Sequence, residues 1–250
     1  MCGILAIARS SPPSERDPLV STRALDLAMQ RLRLRGPDGE GAWRSRCGRL
    51  LLAHTRLAIQ DPSVAGRQPM TDAPSPSDRD ERVVITFNGE IYNAPALRIE
   101  LERGGFAFRS QSDTEVLLHG FIAWGIDRLL ARILGMFAFV IADLREGAPI
   151  FHAANDPTGM KPLVWSFSPA SQGESGGRLA IASDCDSLAA ALADDPRFSK
   201  RLEAQALCHV LSIGYCPAPL TMWRGVYKPV SYTHLRAHET KANLVCRLLL

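Results

Sequence analysis

Apolar residues fall along this chain in short runs separated by polar, Gly- and Pro-rich stretches. "GILAIA", close to the N-terminus and bounded by loops, reads as a buried strand. "RVVITFN" is the clearest strand, a β-branched and aromatic run that the pattern ends at Asn88-Gly89. "RLLLAH", "RLAIQ", "FAFRS", "MFAFVIAD", "PIFHAAND", "PLVWSF" and "RLAIAS" read as further strands, several of them joined by hairpin-like turns. Helical spacing marks Leu25, Ala28, Met29 and Leu32, with Ser21 or Thr22 as cap, and that helix stops before Gly36, Pro37 and Gly39. Residues 96–103 read as a helix closed by Gly104 and Gly105. Residues 113–124 follow as a helix capped by Ser112 or Asp113, and two more helices lie near 186–193 and 203–211. The Ser/Pro/Glu stretch up to Val20 and "QPMTDAPSPSDRDER" read as surface loops. Strands in hairpins without intervening helices imply antiparallel sheets. So many apolar strands with few helices predict an α+β fold, two packed sheets covered outside by helices, in one domain that ends between Leu211 and Pro229.

Composition narrows the class. The 250 residues are 46% hydrophobic and 22% charged, the balance of a globular protein. No apolar stretch approaches the length of a membrane span, and the N-terminus lacks the basic and apolar regions of a secretory signal. Six cysteines, at 2, 47, 185, 208, 216 and 246, have no paired spacing, which speaks against a disulfide framework or a zinc ribbon and for a reducing compartment, the cytoplasm. A net charge of +3 is too small to predict a nucleic-acid partner.

The candidate chemistry begins at "MCGIL". If Met1 is removed, Cys2 carries a thiol and a free α-amine on one residue, and an amine with a pKa of about 8 can take the proton of its own nucleophile. Taken alone, "MCG" is better read as an accident of position. "NGEIYN" follows a strong strand, so the Asn88 carboxamide and the Gly89 N–H could lie side by side as oxyanion donors. Asn-Gly is also the commonest tight-turn signal, and a turn is the favoured reading of those residues by themselves. Arg56, in an apolar stretch, either holds a carboxylate through its planar guanidinium or is a solvated edge residue. Asp113 is either a helix cap or a receiver for an ammonium group. Asp38 in "RGPD" reads as structural. "ESGGRLA" lacks the lysine, the Ser/Thr and the helix of a phosphate loop. His234, His238 and Cys246 do not have metal-ligand spacing, and no nucleophile-elbow serine is present.

Together, "MCGIL", "LRGPDGEG", "HTRLAIQD", "FNGEIYN", "SQSDTEVLL", "LGMFAFVIAD" and "NDPTGMKPL" resemble, in order, the N-terminal glutaminase domain of glutamine-hydrolysing asparagine synthetases. That domain is a class II glutamine amidotransferase of the N-terminal nucleophile hydrolase fold. The wording of "RGPD", "RLAIQD" and "NGEIYN" is closer to this branch than to the phosphoribosyl or glucosamine branches. The resemblance implies a four-layer α/β/β/α sandwich of two mainly antiparallel sheets. It implies Cys2 as nucleophile, Asn88 and Gly89 as oxyanion hole, Arg56 for the α-carboxylate of L-glutamine, and Glu90 and Asp113 for its α-amine. No cofactor or metal is implied for the glutaminase step. ATP and Mg belong only to a synthetase domain, which this chain lacks: it contains no ATP-pyrophosphatase loop. That missing domain is the implied partner, with neither nucleic acid nor membrane. A glutaminase feeding another acceptor, or a non-catalytic domain of the same fold, are the alternatives.

Leu34, Asn155 and Asp184 depart from the family pattern, which commonly has histidine, arginine and glutamate there. The expected organisation is an amidotransferase domain over 1–211, the start of a connection to the synthetase domain over 212–229, and a tail over 230–250 that is foreign or disordered. "VSYTHLRAHETKANLVCRLLL" carries +2 of the net charge and resembles translated adapter sequence; a weak surface helix or disorder is expected of it.

Overall fold

A computed structural model describes residues 1–13, 18–73, 82–145, 149–169 and 176–229, and the backbone of two strands at 233–238 and 244–248. In chain order the elements are β1 (Gly3–Arg9), α1 (Thr22–Arg33), β2 (Gly39–Arg44), β3 (Leu50–Arg56), β4 (Met70–Thr71), β5 (Val83–Ile91), α2 (Ala94–Arg103) and α3 (Asp113–Leu130). They continue as β6 (Gly135–Asp143), β7 (Ile150–Asn155), β8 (Val164–Ser168), β9 (Arg178–Ala182), α4 (Cys185–Ala191), α5 (Ala204–Ile213), β10 (Thr233–His238) and β11 (Leu244–Leu248). One sheet has the order β2-β3-β1-β9-β8 and the other β11-β10-β7-β6-β5-β4, with every named pair antiparallel.

Strand periodicity builds the layers. Side chains alternate between faces, so Ile4 and Ala6 of β1, Leu50 and Leu52 of β3, Val84 of β5 and Val140 of β6 meet between the sheets. The alternate positions of the first sheet, Leu5, Ile7, Leu51 and Ala53, pack under α1 and α4 with Ala28, Leu32 and Leu188. Those of the second, Ile85, Phe87, Phe139 and Ile141, pack under α2 and α3 with Leu97, Leu117 and Phe121. The result is the expected α/β/β/α sandwich. Ser21 caps α1 by accepting from the Ala24 N–H at 3.0 Å, and Ser112 caps α3 by accepting from the Thr114 N–H at 3.2 Å. Helical geometry in α3 breaks at Gly125 (φ 75°, ψ 174°), one residue past the predicted end, and resumes to Leu130.

Four local expectations are corrected. "RLAIQ" is not a second strand: β3 ends at Arg56 and the chain leaves the sheet, with Ile59 76% exposed. "FAFRS" is not a strand because the Glu115 carboxylate takes the Arg109 and Ser110 N–H groups, at 2.9 and 2.7 Å, in place of a neighbouring strand. "GEGAWR", unassigned from the sequence, forms β2 on the edge beside β3. Asn88-Gly89 is not a turn. β5 runs through it to Ile91, and a Cβ on Gly89 would lie 2.3 Å from the Met136 carbonyl, so glycine is required by the close approach of β6.

The tail also differs from expectation. β10 pairs with β7 from His234↔Ala154 to His238↔Ile150, and β11 pairs with β10. Pairing needs only an extended backbone beside the open edge of β7, and the alternation in "THLRAH" permits it. The loop segments 14–17 and 74–81, most of the stretch before "GGRLA", and the side chains of His234, His238 and Cys246 lie outside the described residues. Among the described residues no helix is long and apolar enough to cross a membrane.

Candidate active site

A cavity of about 210 Å³ opens where the start of β1, the end of β3, the last half of β5 and the first turn of α3 meet. All six residues singled out from the sequence line it: Cys2, Arg56, Asn88, Gly89, Glu90 and Asp113. They come from four segments far apart in the chain, and the sandwich brings them together.

Cys2 stands just before β1, whose apolar residues anchor it from behind. Its N–H donates to Asn88 Oδ1 at 3.0 Å. Its Sγ lies 3.4 Å from the Leu57 N–H and 3.7 Å from the Leu57 carbonyl, so the loop that follows β3 brackets the sulfur. Arg35 Nε donates to the Cys2 carbonyl at 3.2 Å, which gives the "RGPD" turn a role beneath the thiol. Asp38 is structural, as expected: its carboxylate accepts from the Ala58 N–H at 2.8 Å. Burial pushes the Cys2 thiol up from its ordinary value, with the hydrogen bond from Leu57 pulling the other way. A buried thiol held neutral needs a base before it can act as a nucleophile.

Asn88 is 2% exposed. With Oδ1 committed to Cys2, its Nδ2 is buried and has no partner among the described residues, a donor left over in a cavity wall. Gly89 follows from strand alternation. β4 pairs with β5 only at Val84 and Ile85, so the outward edge of β5 beyond them is open. The outward Phe87 N–H donates to Gln68 Oε1 at 2.6 Å, and the outward Ile91 N–H donates to Asp113 Oδ2 at 3.0 Å. Backbone groups two residues apart point the same way. The Gly89 N–H, midway between these two, therefore faces the cavity.

Arg56 is held by the loop it borders. One guanidinium nitrogen donates to the Ser63 carbonyl at 2.9 Å and the other to the Asp61 carbonyl. Across the cavity, Asp113 is 5% exposed, and burial pushes its carboxyl up to about 6 despite the hydrogen bond from Ile91. The cavity wall thus combines the Arg56 guanidinium, the Glu90 and Asp113 carboxyl groups, the Cys2 thiol and the N–H donors of Asn88 and Gly89.

Sequence reasoning missed Gln68, Ser112, Thr114, Met136 and Lys161 as lining residues. Gln68 sits in the Pro-rich stretch that reads as surface loop, and no local signal separates it from its neighbours. Lys161 is placed by Asp156, whose carboxylate accepts from the Met160 and Lys161 N–H groups at 2.9 Å each. None of the three departures lines the cavity: Leu34 is 91% exposed, Asn155 ends β7, and Asp184 caps α4 by accepting from the Ser187 N–H at 2.8 Å. Among the described residues no group of three or more His, Cys, Asp or Glu side chains could hold a metal ion.

Comparison with known proteins places this arrangement. Residues 1–244 match the glutamine amidotransferase domain. Asparagine synthetase (glutamine-hydrolyzing) 3 of Bacillus subtilis is 31% identical over 208 residues, covering 83% of this chain and 30% of that protein. Asparagine synthetase (glutamine-hydrolyzing) 1 of Arabidopsis thaliana is 39% identical over 163 residues, covering 65% of this chain and 25% of that protein. The chain spans less than a third of the length of either relative. Among solved structures, glutamine phosphoribosylpyrophosphate amidotransferase from B. subtilis superposes with a TM-score of 0.58 over 95% of this chain and 47% of that one. At 18% identity that likeness speaks for the fold alone, the α/β/β/α sandwich built above. The match over nearly its full length makes this chain a member of the glutamine amidotransferase domain family.

Proposed function

We propose that the chain hydrolyses L-glutamine to L-glutamate and ammonia through a thioester on Cys2. The observation that carries this reading is Asn88 Nδ2, buried without a partner among the described residues, on a carboxamide that holds the Cys2 N–H and stands next to the outward Gly89 N–H. Two such donors suit the oxygen of a carboxamide as it becomes an oxyanion.

Removal of Met1 turns the Cys2 nitrogen into an α-amine. That amine takes the thiol proton as Sγ attacks the side-chain carbonyl carbon of glutamine. Asn88 Nδ2 and the Gly89 N–H receive the negative oxygen. The proton passes to the departing nitrogen, which leaves as ammonia when the C–N bond breaks and the thioester forms. Water then attacks the thioester carbonyl carbon while the amine takes one of its protons, and the amine hands that proton to sulfur as the C–S bond breaks and glutamate departs. Arg56 binds the α-carboxylate, and Glu90 with Asp113 binds the α-ammonium, so the amino-acid end is held by opposite charges. No step calls for a cofactor.

In a protein organised like the asparagine synthetase relatives, the ammonia would supply an ATP- and Mg-dependent amidation of aspartate in a further domain. The acceptor is chosen by that domain, and the chemistry here is the same for any acceptor. The test is intact-mass analysis together with glutamate and ammonia release by the native chain and Cys2→Ala. The expected result is loss of Met1 and complete loss of hydrolysis in the variant. Full activity with Met1 retained, or hydrolysis by Cys2→Ala, overturns the reading.

A further inference from the structure

The open edge of β5 is closed by side chains, and one of them joins both ends of the cavity. Gln68 accepts from the Phe87 N–H at 2.6 Å through Oε1 and donates to Thr114 Oγ1 at 3.1 Å through Nε2. Thr114 follows Asp113, which itself takes the Ile91 N–H. A closed frame results: Phe87, Gln68, Thr114, Asp113 and Ile91 surround the Gly89 N–H. Two further contacts tighten it. The Ser112 hydroxyl donates to Thr114 Oγ1 at 3.0 Å, and His54 Nε2 lies 3.1 Å from the Phe87 carbonyl, which shares the open edge. The backbone of Gln68 is seated from behind as well, since a Cβ on Gly41 of β2 would lie 2.3 Å from the Gln68 carbonyl.

We propose that Gln68 is a positioning residue that sets the distance between the oxyanion donors and the acidic α-amine site, and so selects an amino acid of glutamine's length. The proposal rests on the glutaminase reading of the cavity. A carboxamide meets both demands at once, because Oε1 accepts from the Phe87 N–H while Nε2 donates to the Thr114 hydroxyl oxygen. Glutamate keeps the first contact and makes the second only when the Thr114 hydroxyl turns to donate, and leucine supplies neither. Once the frame opens, β5 and the first turn of α3 are free to shift relative to each other. A displacement of about 1 Å at a reacting centre can cost on the order of a hundredfold in rate.

The length ruler gives a readout that mere loss of stability does not. Steady-state hydrolysis of L-glutamine and of L-asparagine, one methylene shorter, is measured on the full chain for native protein, Gln68→Leu, Gln68→Glu and Thr114→Val. Gln68→Leu should lower kcat/KM for glutamine roughly tenfold or more. It should also lower the preference for glutamine over asparagine by about fivefold, as expected when a fixed spacing relaxes. Gln68→Glu should fall between native and Gln68→Leu. Thr114→Val should move both quantities the same way, and the double variant should be no worse than Gln68→Leu, because one frame is being broken twice. Thr114→Val conserves shape and carries the test if Gln68→Leu does not fold. An unchanged preference in folded variants, or full additivity, overturns the positioning role alone. A native chain with no Cys2-dependent hydrolysis overturns the glutaminase reading and this role with it.

Discussion

The six-stranded sheet has two sides, and they are finished by different means. On the β7 side, main chain completes the ladder: β10 pairs from His234↔Ala154 to His238↔Ile150, and β11 follows. On the β5 side, β4 pairs only at Val84 and Ile85, and side chains take over from there. Gln68 and Asp113 occupy the Phe87 and Ile91 N–H groups and leave Gly89 between them. A strand uses every outward group of its neighbour, so an edge closed by a strand is chemically quiet. Side chains can close an edge selectively. That selectivity leaves the Gly89 N–H facing the cavity that Cys2 also lines, and under the proposed reaction the β5 side carries the chemistry while the β7 side is a structural margin.

The largest break in that contrast should come from Asn88. Asn88→Ala removes the carboxamide donor that stands next to Gly89, and kcat should fall on the order of a hundredfold or more, with KM little changed. Steady-state kinetics decide it, and a defect confined to KM would remove Asn88 from the oxyanion hole. Arg56→Ala should show the opposite pattern, a KM raised on the order of tenfold with kcat largely kept, since a ground-state contact is lost. Arg56 also holds the loop carbonyls of Asp61 and Ser63, so thermal melting should accompany the kinetics. Equal kinetic defects in both variants would erase the division of the cavity into a reacting end and a binding end.

Asp113 sharpens the contrast through pH. Burial pushes its carboxyl up to about 6, from an ordinary value of 3.8. Below pH 6 it is protonated and cannot pair with an ammonium group, so kcat/KM for glutamine should fall about tenfold per pH unit there. Asp113→Asn should lower activity and flatten that limb. The stability effect has the reverse sign. A folded pKa above the unfolded one means that the charged form is penalised in the fold, so the cost is full above pH 6 and disappears as pH falls below about 4. Asp113→Asn should therefore be more stable than native protein at pH 8, by at most about 3 kcal/mol, and no more stable near pH 4. Chemical denaturation at the two pH values measures this, and a gain that grows toward acid would contradict it.

The smallest effect on activity is expected at the quiet edge. We propose that residues 230–250 are dispensable for hydrolysis, whatever their origin. Deleting them should keep kcat within about twofold while lowering the melting temperature by a few degrees, as exposure of the β7 edge costs about 1–2 kcal/mol. A loss of kcat in step with stability would show that the far edge is coupled to the site.

Residues such as Ile4, Leu51 and Val140 made the sandwich legible, because a short unbroken apolar run marks a strand buried on both faces wherever the strand lies. Cys2, Asn88 and Asp113 were legible by a different route, as members of ordered motifs, and none was compelling alone. Gln68 was not legible at all. Its importance comes from the Phe87 N–H and the Thr114 hydroxyl, 19 and 46 residues away, and nothing in "GRQPM" announces either partner. The turn favoured for Asn88-Gly89 by itself fails for the same reason. The dipeptide has a strong local preference for a turn, but Met136 leaves no room for a side chain at Gly89 and the β6 ladder holds the backbone extended.

The sequence by itself determined the elements whose signals are local. These are the amphipathic helix behind Ser21, the apolar strands and the capped start of α3. Only the tertiary structure decided which strand edge stays open, which N–H groups on it are occupied, and that an arginine and two carboxylates line one cavity of about 210 Å³. Hydrophobic burial depends on periodicity along the chain and can be read one segment at a time. An active site depends on hydrogen-bonding groups left over after the fold has satisfied the rest, and what is left over is known only once every segment is in place.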